Sequence, residues 1–197
     1  MTTPVPFTDD PLPGPQPPPI PAIHGGRSSM YPAGDLRHVA RIIGCGRWSM
    51  GNDQAGLLVA RRLHERGLPD AVIDLSEQPA IDLAAESHAE AELLIVVDTA
   101  RADDVHPIGT FVRFDYREGP RLLDAVQRLD SHSLGVAAGL ELAERLGMLP
   151  PQVWIYVLFC GAFERRLTLD AALDECVAAV AAAIERDLVA WRARRRN

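Results

Sequence analysis

The sequence predicts an α/β fold: a three-layer, doubly wound, mostly parallel sheet flanked by helices. Three observations carry that reading. Short apolar runs alternate with helical patterns from His38 onward. The run Glu92–Asp98 (ELLIVVD) is almost continuously apolar, as a strand buried on both faces requires. A long final segment places Leu173, Val177, Val180, Ile184, Leu188 and Trp191 on one helical stripe.

Each element follows from its pattern. His38–Gly44 (HVARIIG) reads as a first strand ending in glycine. Gln54–Arg66 reads as a helix, with Val59 and Leu63 one turn apart. Ala71–Leu75 is a second strand, Ala80–Ala89 a weaker helix, and Glu92–Asp98 the third strand. Thr110–Phe114 is a fourth strand and Leu122–Leu129 a short helix. Ser133–Leu146 is a helix with Leu134, Ala138, Leu142 and Leu146 as its stripe. Val153–Phe159 (VWIYVLF) is the last strand, and Thr168 to about Arg194 the last helix. Strands alternating with helices imply right-handed crossovers and a largely parallel sheet.

The first 36 residues are of another kind. Nine of the 16 prolines lie between Pro4 and Pro21. Proline fixes φ and removes a backbone donor, so residues 1–36 are expected to be an extended or disordered arm, dispensable for folding. Residues 37–197 are expected to form a single domain.

Composition narrows the function. The net charge of -7 argues against a nucleic-acid binder, because phosphate contacts need a basic surface. Cys45, Cys160 and Cys176 are scattered, with no CxxC pair, which fits a reducing compartment. No apolar run approaches the roughly 20 residues of a membrane span. Met-Thr-Thr-Pro does not open a secretory signal. The expectation is a cytoplasmic protein with no membrane partner. The arginines near the C-terminus, from Arg192 to Arg196, suit a helix end whose dipole favours cations.

Ligands of doubly wound sheets bind beyond the carboxyl ends of the strands. Asp53 follows the first strand and Asp98 ends the third. His132 precedes the helix at 133–146. Taken singly, Asp53 suits a helix N-cap, Asp98 a strand-terminal turn and His132 a cap or surface position. Brought together, two carboxylates and an imidazole make an O,O,N set suited to zinc or nickel. The Gly44-Cys45-Gly46 turn hints at dinucleotide binding, but Ser49 stands where the third glycine belongs. A Cys–His nucleophile pairing Cys45 or Cys160 with His132 is a further option.

These residues lie in motifs that resemble the hydrogenase maturation proteases. That family's first loop reads G-x-G-N-x-x-x-x-D-[DE]-x-x-G. Here Gly44-x-Gly46-Arg47 through Asn52-Asp53-x-x-Gly56 aligns with it without gaps. The family's third strand ends in aspartate, here Asp98 in LLIVVDTA. Its histidine stands in an H-x-x-G-[LV] context, here His132-Ser133-Leu134-Gly135-Val136. The resemblance covers about residues 38–190.

It implies an endopeptidase that removes a C-terminal peptide from the nickel-loaded large-subunit precursor of a [NiFe]-hydrogenase. Asp53, Asp98 and His132 would be its catalytic and nickel-contacting residues. Nickel would arrive with the precursor rather than reside in the protease, with zinc or cadmium as surrogates. The other readings are a non-catalytic hydrogenase assembly protein on the same fold, and an unrelated α/β hydrolase or nucleotide binder. Four departures bear on substrate choice more than on fold. Arg47 replaces the family's Asn, and Asn52 replaces the first acid of the pair. Asp74-Leu75-Ser76-Glu77 lacks the usual small residues, and Phe159–Glu164 lacks the frequent Glu-Pro.

Overall fold

The computed structural model describes residues 40–84, 88–118 and 134–195. The Pro-rich arm, the helix expected at 122–129 and His132 lie outside the described residues. Five strands form one sheet in the order β2-β1-β3-β5-β4. They are β1 (Ala40–Cys45), β2 (Ala71–Ser76), β3 (Leu93–Arg101), β4 (Phe111–Asp115) and β5 (Gln152–Cys160). The first four in spatial order are parallel, and β4 runs antiparallel along β5. The helices are α1 (Ala55–Glu65), the single turn α2 (Pro79–Asp82), α3 (Leu134–Arg145) and α4 (Ala171–Arg195). The expected α/β architecture is present.

Helices cover both faces of the sheet. One core joins α1 and α4 to alternate residues of the central strands, among them Ile42, Ile95, Val97, Tyr156 and Leu158. The opposite core joins Val136 and Leu140 of α3, and Leu83 just after α2, to Ile43, Cys45, Val96, Ile155 and Phe159. Cover on both sides explains why β3 and β5 are almost wholly apolar.

The stripe read for the last helix is the buried one: Leu173, Val177, Val180, Ile184, Leu188 and Trp191 all lie in the core. Ile184→Asp is therefore expected to leave little soluble protein, because an unpaired charge would replace a fully buried side chain. A soluble variant with the parent melting midpoint would contradict this packing.

Two expectations need correction. The helix expected at 80–89 is only the turn α2, followed by further turns. In α3 the expected stripe is wrongly phased. Leu142 is exposed, as is Leu146 just beyond the helix, whereas Val136, Leu140 and Ala143 are buried. Gly139 selects this phase. A methyl group there would lie 2.5 Å from the Pro79 carbonyl oxygen and 3.0 Å from Leu83 Cβ. The bare glycine lets α3 press against α2.

Beneath α2 lies a polar cluster. Arg41 pairs with Asp74 at 2.6 Å, and Ser76 Oγ donates to Asp82 Oδ2 at 2.6 Å. His88 is buried, with Nε2 2.7 Å from the Asp82 carbonyl oxygen and no hydrogen-bond partner at Nδ1. Burial pushes the imidazole below its ordinary value of 6.5, against the opposing pull of the Asp82 carbonyl. Arg41 adds to the depression, while the Asp74 and Asp82 carboxylates oppose it.

The unfolded chain therefore takes up this proton first as pH falls. The stability linked to neutral His88 is complete above about 6.5 and is lost as pH drops toward the lower folded-state value. Between about pH 7.5 and 5.5, His88→Gln should flatten the fall of the melting midpoint. An unchanged slope would contradict the linkage.

Candidate functional site

The site grows from the connection after β1. From β1 the chain continues to β2 on one side, and from β3 it continues to β4 on the other. The two central strands therefore flank the switch point, where doubly wound sheets open a crevice. A 3-10 turn, Gly51–Gln54, carries Asp53 and leads directly into α1.

The motif glycines make this close approach possible. A methyl group at Gly44 would lie 2.3 Å from the Gly56 carbonyl oxygen and 2.6 Å from Ala60 Cβ. One at Gly46, whose φ is +144°, would lie 1.9 Å from the Asp53 carbonyl oxygen. One at Gly56 would meet the Cys45 and Val97 carbonyl oxygens. These glycines face protein backbone, which explains the G-x-G pattern by packing without a phosphate cradle.

Asp53 is 4% exposed. Its Oδ2 accepts a hydrogen bond from Arg47 Nε at 2.8 Å. It does not cap α1, whose N-cap is Gln54 with no side-chain cap bond. Asp98 is 9% exposed and lies within β3 rather than at its end, since the strand runs on to Arg101. Its cross-strand neighbour is Val157. Alternation along β3 turns it to the α2–α3 face, with Val96 and Ala100.

The two carboxylates share a neighbour, the buried Cys45. Asp98, Asp82 and Asp53 all act electrostatically on the thiol of Cys45. Burial, and then these charges, push that thiol well above its ordinary range. Cys45 is thus held protonated. Cys160 is buried as well and donates to the Ala100 carbonyl oxygen at 3.3 Å. Cys176 is pushed up to about 11 by burial. A thiolate nucleophile has no support from these environments.

Asn52 has a structural role that the sequence did not disclose. It is fully buried. Its Nδ2 donates to Asp170 Oδ2 at 2.7 Å and to the Ala162 carbonyl oxygen at 3.2 Å. Its Oδ1 accepts from the Asp170 amide at 3.1 Å and Arg166 Nη2 at 3.2 Å. An acid here would set two carboxylates against each other, so the amide and Asp170 belong together. Hydrogen bonds from Asn52 and Arg166 hold the Asp170 carboxyl below its ordinary value. Gly51 N to the Arg166 carbonyl (2.8 Å) and Gln54 Nε2 to the Leu167 carbonyl (3.0 Å) complete the lacing.

A second missed feature is His106, on the loop between β3 and β4. Its ring stacks on Phe159 with centroids 4.3 Å apart, and Nδ1 lies 3.1 Å from Asp103 Oδ1. The closely spaced Asp103 and His106 were its only signal in the sequence. The loops at this edge also expose Val105, Ile108 and Leu167.

Asp53 and Asp98 thus both lie within electrostatic reach of Cys45, at the end of β1, while the third expected member, His132, lies outside the described residues. Among the described residues no three His, Cys, Asp or Glu side chains are grouped to hold a metal ion. Among them, too, no helix is long and apolar enough to cross a membrane.

This is a doubly wound α/β protein with two buried carboxylates at its switch-point strands, and its fold is that of the hydrogenase maturation endopeptidases. An endopeptidase from Escherichia coli superposes with a TM-score of 0.65 at 19% identity, over 74% of this chain and 89% of that one. The hydrogenase maturating endopeptidase HybD of E. coli gives 0.62 at 18% identity, over 78% and 92%. The [NiFe] hydrogenase maturation protease HybD of Thermococcus kodakarensis gives 0.60 at 21% identity, over 75% and 97%. No protein-family model matches the sequence, and no curated protein does.

Proposed function

We propose that the chain is an endopeptidase that trims the C-terminus of a nickel-loaded [NiFe]-hydrogenase large-subunit precursor. The observation that carries this reading is the pair of buried carboxylates, Asp53 and Asp98, flanking the β1–β3 switch point of a maturation-endopeptidase fold. In this reading Asp53, Asp98 and His132 contact nickel that belongs to the substrate. Carboxylate oxygens and one imidazole bind a borderline divalent ion while leaving positions for the precursor's own ligands. A polarised carbonyl and an activated water would then account for peptide hydrolysis. The exposed Val105, Ile108 and Leu167 offer an apolar rim to the precursor.

The second reading, an assembly protein that binds without cutting, draws support from the Arg47–Asp53 pair, which already occupies one carboxylate. Incubation with nickel-loaded and metal-free precursor separates the two. The protease yields a mobility shift on a gel with the loaded precursor only. An assembly protein yields a stable complex and no shift. Neither cleavage nor complex would remove both readings.

A further inference from the structure

The segment between β5 and α4, residues 161–170, forms neither helix nor strand. It lies as a strap against the turn that carries Asp53. Gly51 N donates to the Arg166 carbonyl oxygen, and Gln54 Nε2 donates to that of Leu167. Between them, the Asn52 amide gathers the two ends of the strap. Its Nδ2 donates to the Ala162 carbonyl oxygen at 3.2 Å and to Asp170 Oδ2 at 2.7 Å. An irregular segment whose ends meet packs as a unit. The fit leaves no slack at Gly51, where a methyl group would lie 2.8 Å from Arg166 Cγ and 2.9 Å from the Glu164 carbonyl oxygen. The residues on either side of Asp53 are thus bonded to the strap, while Asp53 itself bonds Arg47.

Donors and acceptors inside this clamp are matched. Asp170 spends Oδ2 on Asn52 and Oδ1 on Arg166 Nη2 at 2.5 Å. Asn52 Oδ1 accepts from the Asp170 amide and from Arg166 Nη2. An acid at position 52 would face the Asp170 carboxylate with no proton to share. An amide at position 170 would offer one acceptor where two donors arrive. The clamp takes one carboxylate and one amide.

We infer that Asn52 and Asp170 are a positioning pair for Asp53, fixing its turn through the 161–170 strap. The inference rests on the proposed catalytic part of Asp53. A functional side chain must be held within about 0.5 Å of its working place by partners that are themselves locked. A misplacement of about 1 Å can cost on the order of 100-fold in rate. Asn52 and Asp170 act through Asp53 rather than on the substrate.

The test is a reciprocal exchange in the full chain: Asn52→Asp, Asp170→Asn and the two combined. The combined variant again pairs one carboxylate with one amide, and it can remake every bond of the Asn52–Asp170–Arg166 group except the one to Ala162. Each single variant should lower kcat for the nickel-loaded precursor roughly tenfold with KM nearly unchanged, and the combined variant should recover to within about threefold of the parent. The carboxyl-carbon NMR signal of Asp53 should move in each single variant and return in the combined one, a pattern that general loss of stability does not produce. Asparagine suits the position before a helix as well as aspartate does, so Asp170→Asn should keep the start of α4 and carries the comparison if Asn52→Asp does not fold.

A parental kcat or an unmoved Asp53 signal in both single variants would overturn the positioning pair and leave the protease reading standing. A combined variant no better than the worse single one would overturn the pair as well. If the parent itself cuts no precursor, the protease reading fails, and the Asp53 signal alone decides whether the pair fixes the turn.

Discussion

Asp98→Asn is expected to slow processing of the nickel-loaded precursor by at least about a hundredfold while the protein stays folded. Removing a mere outer-shell partner of a metal ligand commonly costs 10–100-fold in affinity or activity, so losing a contacting carboxylate should reach or pass that limit. The substitution keeps size and removes charge. Asp98 sits inside β3 between Val96 and Ala100, and an amide of equal volume leaves that packing in place. It also removes one of the charges that act on the buried Cys45 thiol. Near-UV circular dichroism would confirm the fold, and single-turnover cleavage would give the rate. Trimming at the parental rate by a folded Asp98→Asn protein would end the three-residue site and return attention to the His106–Asp103 pair.

The second large effect is on the fold itself. Gly56→Val should yield no folded domain, and Gly56→Ala a melting midpoint lower by several degrees, up to about 10 °C. The first side-chain carbon would lie 2.3 Å from the Cys45 carbonyl oxygen and 2.6 Å from that of Val97. Both oxygens are backbone atoms of the central strands, so neither gives way without disturbing β1 and β3 together. Overpacking that forces backbone to shift costs about 1–3 kcal/mol and occasionally more. For a chain of this size each kcal/mol is worth about 2–4 °C. Gly67→Asn is the control: its φ is +64°, which asparagine tolerates, and no atom lies within 4 Å of the added carbon. A Gly56→Ala midpoint matching that control would refute the close approach of α1.

The sheet was largely legible because burial on both faces leaves a dense signature. Glu92–Asp98 and Val153–Phe159 could hardly read otherwise, although both strands extend past the apolar run. The stripe of α4 was legible for a similar reason, since six large side chains repeat over a long helix. In α3, a stripe through Leu134, Ala138 and Leu142 competes with one through Val136, Leu140 and Ala143, and spacing alone does not choose between them. Gly139 decides, through a contact with Pro79 that is distant in sequence.

At the candidate site, Asp53 and Asp98 were singled out by their places relative to the strands, although Asp98 lies within β3 rather than at its end. The meaning of Asn52 was not legible, because it depends on Asp170, 118 residues away. The substitution of Arg47 was visible as a departure. Its consequence, an ion pair with a buried carboxylate six residues on, needed the loop geometry.

The strand order has a consequence for how the chain is made. β5 lies between β3 and β4 in the sheet but is the last strand in the sequence. While the ribosome is still short of Gln152–Cys160, β3 has an open outer edge and β4 has no neighbour. An apolar edge left unpaired is a template for pairing with another chain. The nascent protein is therefore most prone to aggregate just before its final quarter emerges. Release of the last strand closes both gaps at once, with β3 zipped on one side through nine residue pairs and β4 on the other through five. A stalled or truncated product ending before Gln152 should accumulate with chaperones rather than as a soluble, partly built sheet.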